Sequence, residues 1–332
     1  SFYNFNGTLI PSAYLPPVYP FFVYIIKIVG SFDKISLLYA VIFVQIILST
    51  ISVYLFYKLN ENFFSNKISL INTIVFSIVP LNIIVCGQVS SASLQIFLSL
   101  LFLNFLFLVT KYQTNKNILL FSVISALLIL TRGEFIIIFL LMISFVYLSK
   151  KIELLNLVKI LVLVSILISP YLVRNYIHFN EIFIVKSVGY NLWKGNNQIS
   201  KVEGHPEIMT ESPKNYEIIP RREFKNLYFK LNNLEKNRNY EIERDKIFLD
   251  EAVANLNNNP IRYFKLYIKK FFSYFFIDFN SSYPNYYNLL HIFPIILLSI
   301  LSLPGLFIFG KEKKFENRSL ILYLFINLAI FS

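Results

Sequence analysis

Apolar residues in this chain gather into runs: Ile35–Phe56, Ile68–Val85, Leu94–Val109, Leu119–Leu148, Leu154–Val173, Leu289–Phe309 and Leu320–Phe331. A helix needs about 20 mainly apolar residues to cross a bilayer, and several of these runs reach that length. Helices that are apolar all round need lipid or a very large core about them, and a chain of 332 residues cannot supply that core. The pattern predicts an all-α polytopic membrane protein. Residues 35–174 form a transmembrane helix bundle, and residues 286–332 form C-terminal transmembrane helices. Residues 175–285, between them, are a polar segment of small-domain size.

Inside that segment Tyr240–Asn257 has a helical period, with Phe248, Ala252, Val253 and Leu256 on one face and charges opposite. Asn257-Asn258-Asn259-Pro260 ends it and lets Pro260 start a second helix, expected over Pro260–Ile277. There Arg262, Lys265 and Lys269 share one face, and Phe264, Tyr267, Phe271 and Phe275 another. Basic and aromatic stripes on one helix suit the headgroup zone. Residues 1–34 close with a Pro-rich lead-in, Pro16-Pro17-Val18-Tyr19-Pro20, and a short apolar helix expected from Pro20 to Gly30. That helix is too short to span and suits the interface.

Charge then gives the stretches sides. Lys58 and Lys67, Lys111 and Lys116, Lys150 and Lys151, and Lys311 to Arg318 mark every second connection, while the intervening ones carry few cations. Lys-rich short loops face the cytoplasm, so 175–285 and the chain's start are expected on the outer face of a plasma (inner) membrane. The same alternation splits residues 117–148 at Thr131-Arg132-Gly133-Glu134. Two helices of about 15 residues rise about 22 Å each, short of the roughly 30 Å core, so the break lies below the surface. An Arg and a Glu at that depth belong against protein or in a watered cavity, which makes Arg132 and Glu134 candidate site residues.

Composition narrows the classes. Hydrophobic residues make up 56% and charged residues 15%, against roughly 25% charged in soluble domains. The net charge of +12 resides largely in loops flanking the apolar runs, so nucleic acid is not the expected partner. The single Cys86 and the scattered His178, His205 and His291 have no metal-ligand spacing. No cofactor is evident, and a divalent cation is neither indicated nor excluded. No phosphate-binding glycine loop or Ser/His/Asp set appears. The chain starts in polar, aromatic sequence and stops inside an apolar run, as expected of a piece of a longer protein.

Four stretches resemble the GT-C superfamily of membrane glycosyltransferases, in the bacterial branch related to protein mannosyltransferases and the aminoarabinose transferase of lipid A. They are Pro16–Pro20 with the helix after it, Leu128–Glu134 (LILTRGE), Tyr171–Asn197 with its Arg-Asn-Tyr, Gly-Tyr-Asn-Leu-Trp and Gly-Asn-Asn, and Glu241–Pro260 followed by a basic-aromatic helix. They occur in the family's order over nearly the whole chain. Gly133 stands where the family has Pro, Leu15 where many relatives have Lys, and Ser91-Ala92 where a Ser-Glu pair is common. The resemblance implies a GT-C-like helical bundle with a large extracytoplasmic loop. It also implies transfer of a sugar from a polyprenyl-phosphate donor to an envelope glycan, lipid or protein acceptor. It makes Arg132 and Arg174 candidates for the carrier phosphate, with Glu134 in the same cavity. Tyr19, Asn175, Tyr176, Asn191, Trp193, Asn196 and Asn197 become candidates for the sugar or acceptor pocket. The family's catalytic carboxylate falls before the Pro-rich stretch, and residues 1–15 contain no Asp or Glu, so the base is expected upstream of Ser1. A ligase or polymerase of lipid-linked glycans, a transporter and a non-catalytic envelope scaffold are the alternatives.

Overall fold

The computed structural model describes residues 2–5, 8–202, 207–211, 218–273, 275, 289–312 and 314–331. Helices, numbered in chain order, are α1 Val18–Gly30, α2 Lys34–Asn60, α3 Asn66–Ile78, α4 Pro80–Cys86, α5 Ala92–Lys111, α6 Asn115–Thr131, α7 Phe135–Leu148 and α8 Leu154–Phe179. They continue with α9 Val188–Gly195, α10 Lys225–Asn232, α11 Tyr240–Asn258, α12 Pro260–Ser273, α13 Leu289–Lys311 and α14 Phe315–Phe331. Two antiparallel hairpins are exceptions to the all-α expectation: β1 Phe2–Phe5 with β2 Thr8–Pro11, and β3 Met209–Glu211 with β4 Ile218–Pro220. The chain divides into two compact units. One comprises Pro16–Leu172 with Leu289–Phe331, the other Ser1–Leu15 with Val173–Asn288.

The first unit is the membrane bundle. Helices α2, α5 and α8, and α13 from Ile292, are long and apolar enough to cross a bilayer. The run Ile68–Val85, expected as one continuous span, is instead broken into α3 and α4, bent by 56°. Pro80 lacks the N–H that a continuing helix needs, and its ring drives Val79 into extended backbone at φ −61°, ψ 118°. The break expected at Thr131–Glu134 is present, between α6 of 17 residues and α7 of 14. Arg132 there is extended, at φ −148° and ψ 117°, while its N–H still reaches the Leu128 carbonyl at 3.1 Å. Helix α1 begins at Val18, not Pro20, because Pro20 falls in the first turn, where a missing N–H costs nothing.

Beside an apolar interior that includes Phe102, Phe121, Ile138 and Met142, packing in this unit buries polar side chains and leaves other apolar ones exposed. Gln45, Ser52, Ser69, Ser122 and Ser125 are buried, while Phe43, Ile46, Ile47 and Ile51 on α2 are exposed. Among lipid tails an exposed Ile loses nothing, and helices associate through close packing and hydrogen bonds. Gln45 shows how. Its amide donates to the Gln88 carbonyl at 2.7 Å and the Cys86 carbonyl at 3.1 Å, and accepts from the Tyr19 hydroxyl at 3.0 Å. One side chain thus satisfies carbonyls at the end of α4, which no helical N–H could reach.

The second unit has an aromatic core of Trp193, Phe224, Leu227, Phe248 and Ala252, with Tyr190, Leu231 and Ile247 packed against it. Helices α9 and α11 form that core with Phe224, just before α10, and Leu227 in its first turn, and Gly189 lets α9 and α11 approach. A Cβ there would lie 2.1 Å from the Asp245 carbonyl oxygen. The buried face of α11 carries Asp245, Phe248, Ala252 and Asn255, while Val253, expected on it, is exposed. The buried face of α12 carries Tyr263 and Leu266; of the two stripes expected for it, Lys265, Lys269, Phe264 and Tyr267 lie outward, while Arg262 and Phe271 are half-buried. Its predicted end at Ile277 lies outside the described residues. Lys270 donates to the Gly195 carbonyl at 2.8 Å, at the C-terminus of α9, where a cation suits the helix dipole. Burial there holds its ammonium below the ordinary lysine range.

Candidate functional site

A shallow recess in the second unit, lined by Tyr14, Tyr190 and Arg244 among others, grows out of how α11 receives its neighbours. Helix α9 starts without help from its own N-cap, since the Ser187 side chain makes no capping bond. Asp245 of α11 supplies the missing acceptor, taking the Tyr190 N–H at 2.9 Å. A carboxylate there also sits at the positive end of the α9 dipole. One turn earlier on α11, Glu241 grips the start of the chain. It accepts from the Ala13 and Tyr14 N–H groups, the latter at 2.9 Å, and from the Ser12 hydroxyl at 3.1 Å. The Lys186 N–H adds a bond to the Ala13 carbonyl at 2.9 Å. Tyr14 is therefore fixed with its ring 6.4 Å from that of Tyr190.

Arg244 lies between these groups. Its guanidinium is 5.8, 5.6 and 5.6 Å from the ring centroids of Tyr14, Tyr190 and Phe248. Lys186, on the rim, is paired with Glu181 at 2.6 Å. Burial and the neighbouring Tyr190 push the Tyr14 hydroxyl above the ordinary phenol range, with Arg244 partly opposing. The chain matches no protein-family model, no curated protein and no solved structure. The recess has aromatic walls, carboxylates already engaged and, in Arg244, a cation without a polar partner among the described residues.

The residues singled out from sequence fare differently. Arg132 and Glu134 are both half-buried at the break between α6 and α7. Tyr19 is engaged by Gln45. Arg174, Asn175 and Tyr176, expected just past a membrane helix, are part of α8, which runs on to Phe179. Arg174 donates to the Ser12 carbonyl at 3.1 Å and to Asn175 Oδ1 at 2.7 Å, and Asn175 donates to the Phe183 carbonyl at 2.7 Å. Asn175 is fully buried and so fastens backbone, whereas Tyr176 is 56% exposed. Asn191 is exposed on α9.

Trp193, expected to stack on a sugar, is 1% exposed and offers no free face. Asn196 and Asn197 close the end of α9. Asn196 Nδ2 donates to the Leu192 carbonyl, and Asn197 Nδ2 to those of Trp193 and Lys194. Asn197 Oδ1 takes the Ile199 N–H at 3.0 Å. Asn196 sits at φ −136° and neither Asn is among the positive-φ residues. Among the described residues no three His, Cys, Asp or Glu side chains converge as metal ligands. His205 lies outside the described residues. Sequence reading missed Tyr14, Tyr190 and Arg244. A signal existed: Glu241, Arg244, Asp245 and Phe248 follow the i, i+3, i+4, i+7 spacing of one helical face.

Proposed function

We propose that the chain belongs to a membrane glycosyltransferase of the GT-C type, which moves a sugar from a polyprenyl-phosphate donor to an envelope acceptor outside the plasma membrane. The observation that carries this reading is the interruption at Thr131–Glu134, which leaves an Arg and a Glu half-buried between two short apolar helices. A departing carrier phosphate needs a preorganised cation in a site of low dielectric, and charge inside a membrane bundle marks a functional path. The Lys-rich loops support the orientation, and the polar unit, a folded body on the same face in this reading, would help choose the acceptor. Glu134 would orient Arg132.

The intact gene product in membrane vesicles, given radiolabelled polyprenyl-phosphate sugars and an envelope extract, tests it. Arg132→Ala should lower label transfer about 10²–10³-fold, as loss of one transition-state donor does, with insertion and helix content unchanged. Unchanged transfer would remove the assigned role. A transporter is the second reading, favoured by the Pro80 break between α3 and α4. Solute sites in transporters form at paired interrupted helices. In the same assay a transporter moves label across sealed vesicles and leaves its linkage to the carrier intact.

A further inference from the structure

Helix α12 turns an apolar stripe away from the unit it belongs to. Ile261, Phe264, Ile268 and Phe272 are between 38% and 68% exposed. Their spacing, i, i+3, i+7 and i+11, lines them up along one side of the helix. At 3.6 residues per turn that side lies opposite the one on which Tyr263 and Leu266 are buried. Of the aromatic stripe expected from sequence, only Phe264 belongs to it. Lys265 and Lys269, both exposed, stand along one flank. The other two cations of α12 are used inside the unit: Arg262 donates to the Gln198 carbonyl at 2.6 Å, and Lys270 to that of Gly195. No Asp or Glu occurs in the helix.

A continuous apolar stripe rimmed by charge marks a surface that something covers, and the flank narrows what that is. A second copy packed face to face would bring Lys265 and Lys269 near the same lysines of its partner, with no carboxylate on the helix to separate them. A bilayer with anionic headgroups accommodates both features at once. Apolar side chains enter the acyl boundary, and lysine stems reach back to the phosphates. The 14 residues of α12 rise about 21 Å, too short to span, so the helix suits a membrane surface. Chain order agrees, because the next helix, α13, is among those long and apolar enough to cross a bilayer.

We infer that α12 is a membrane-surface helix that binds anionic phospholipid. Ile261, Phe264, Ile268 and Phe272 lie among the acyl chains just below the headgroups, and Lys265 and Lys269 hold headgroup phosphates. This requires nothing of Arg132 or of sugar transfer, so it stands or falls apart from the function proposed above.

The unsubstituted full chain in nanodiscs of phosphatidylcholine and phosphatidylglycerol tests it. One of the two lipids carries a trace of a photoreactive diazirine in its acyl chain, and adducts are mapped by mass spectrometry. Ile35 and Tyr39, exposed at the start of α2, serve as the internal standard for lipid contact. The stripe should be labelled to a similar yield, and Tyr263 and Leu266 should not. The phosphatidylglycerol probe should outlabel the phosphatidylcholine probe on α12 by about 5-fold for each lysine. Lys265→Gln combined with Lys269→Gln should remove most of that preference, with Trp193 fluorescence unchanged as the sign of a folded unit. Three results would overturn the inference: a stripe without adducts while Ile35 and Tyr39 are labelled, equal labelling by the two probes, or a preference that survives loss of both lysines. The first of these would mean that water or protein covers the stripe. The first two need only the unsubstituted chain, so they decide the matter even if the variant misfolds.

Discussion

Helices α2 and α11 solve opposite problems with similar residues. Helix α11 buries Phe248 and Ala252 and turns most of its charges outward, as a helix in water must. Helix α2 buries Gln45, Ser52 and Asn60 and exposes Phe43, Ile46, Ile47 and Ile51. Burial follows whichever contact the solvent cannot supply. Water cannot replace the apolar neighbours of Phe248, and lipid cannot replace the hydrogen-bond partners of Gln45. The polar unit is therefore held by an aromatic cluster, and the membrane unit by buried amides, hydroxyls and close packing.

The strongest way to break this comparison is one substitution made in both places. Phe248→Ala opens a cavity in the cluster and should cost the polar unit about 3–5 kcal/mol, read as the denaturant midpoint of Trp193 fluorescence in micelles. Phe43→Ala, at a residue 64% exposed, should change stability by no more than about 0.5 kcal/mol. Equal costs would mean that Phe43 packs against protein and that the inside-out reading of α2 is wrong. Next in size is Gln45→Leu. It removes the donor to the Cys86 and Gln88 carbonyls and should cost about 1–2 kcal/mol by detergent-driven unfolding followed by helical circular dichroism. A stabilised Gln45→Leu protein would show that lipid-facing packing outweighs the buried amide.

What could be read from the sequence follows the same division. The membrane spans were legible because hydropathy is a property of each residue, and Arg132-Gly133-Glu134 stood out as polar residues within an apolar run. The break at Pro80 was not seen, since Val79 and Leu81 keep the run apolar and only the missing N–H interrupts the helix. The end of α8 was misplaced for the opposite reason. Arg174-Asn175 reads as a loop, but its polar groups find partners in Ser12 and Phe183 without leaving the helix. The recess was least legible. That Glu241 is engaged while Arg244 is not depends on Ser12, 229 positions away, which no local pattern encodes. The resemblance puts Trp193 in a pocket, and the fold uses it as core.

The smallest expected effect tests whether water reaches the recess at all. Burial and Tyr190 raise the Tyr14 hydroxyl's pKa, so the folded chain prefers the neutral phenol more than the unfolded chain does. The sign follows: this contribution is complete below the ordinary tyrosine value of about 10 and is lost as pH rises through the higher folded value. Tyr14→Phe keeps the ring under Arg244 and removes only the ionisable group. The polar unit of the variant should lose less stability than the parent above pH of about 10, in denaturant midpoints read by Trp193. Midpoints should coincide at neutral pH, because the hydroxyl makes no hydrogen bond among the described residues to lose. The half-buried position keeps the difference small, since solvent screens much of the penalty on the phenolate. Identical profiles above that pH would place the Tyr14 hydroxyl in open water, and a recess walled by a fully hydrated phenol would not hold Arg244 away from solvent either.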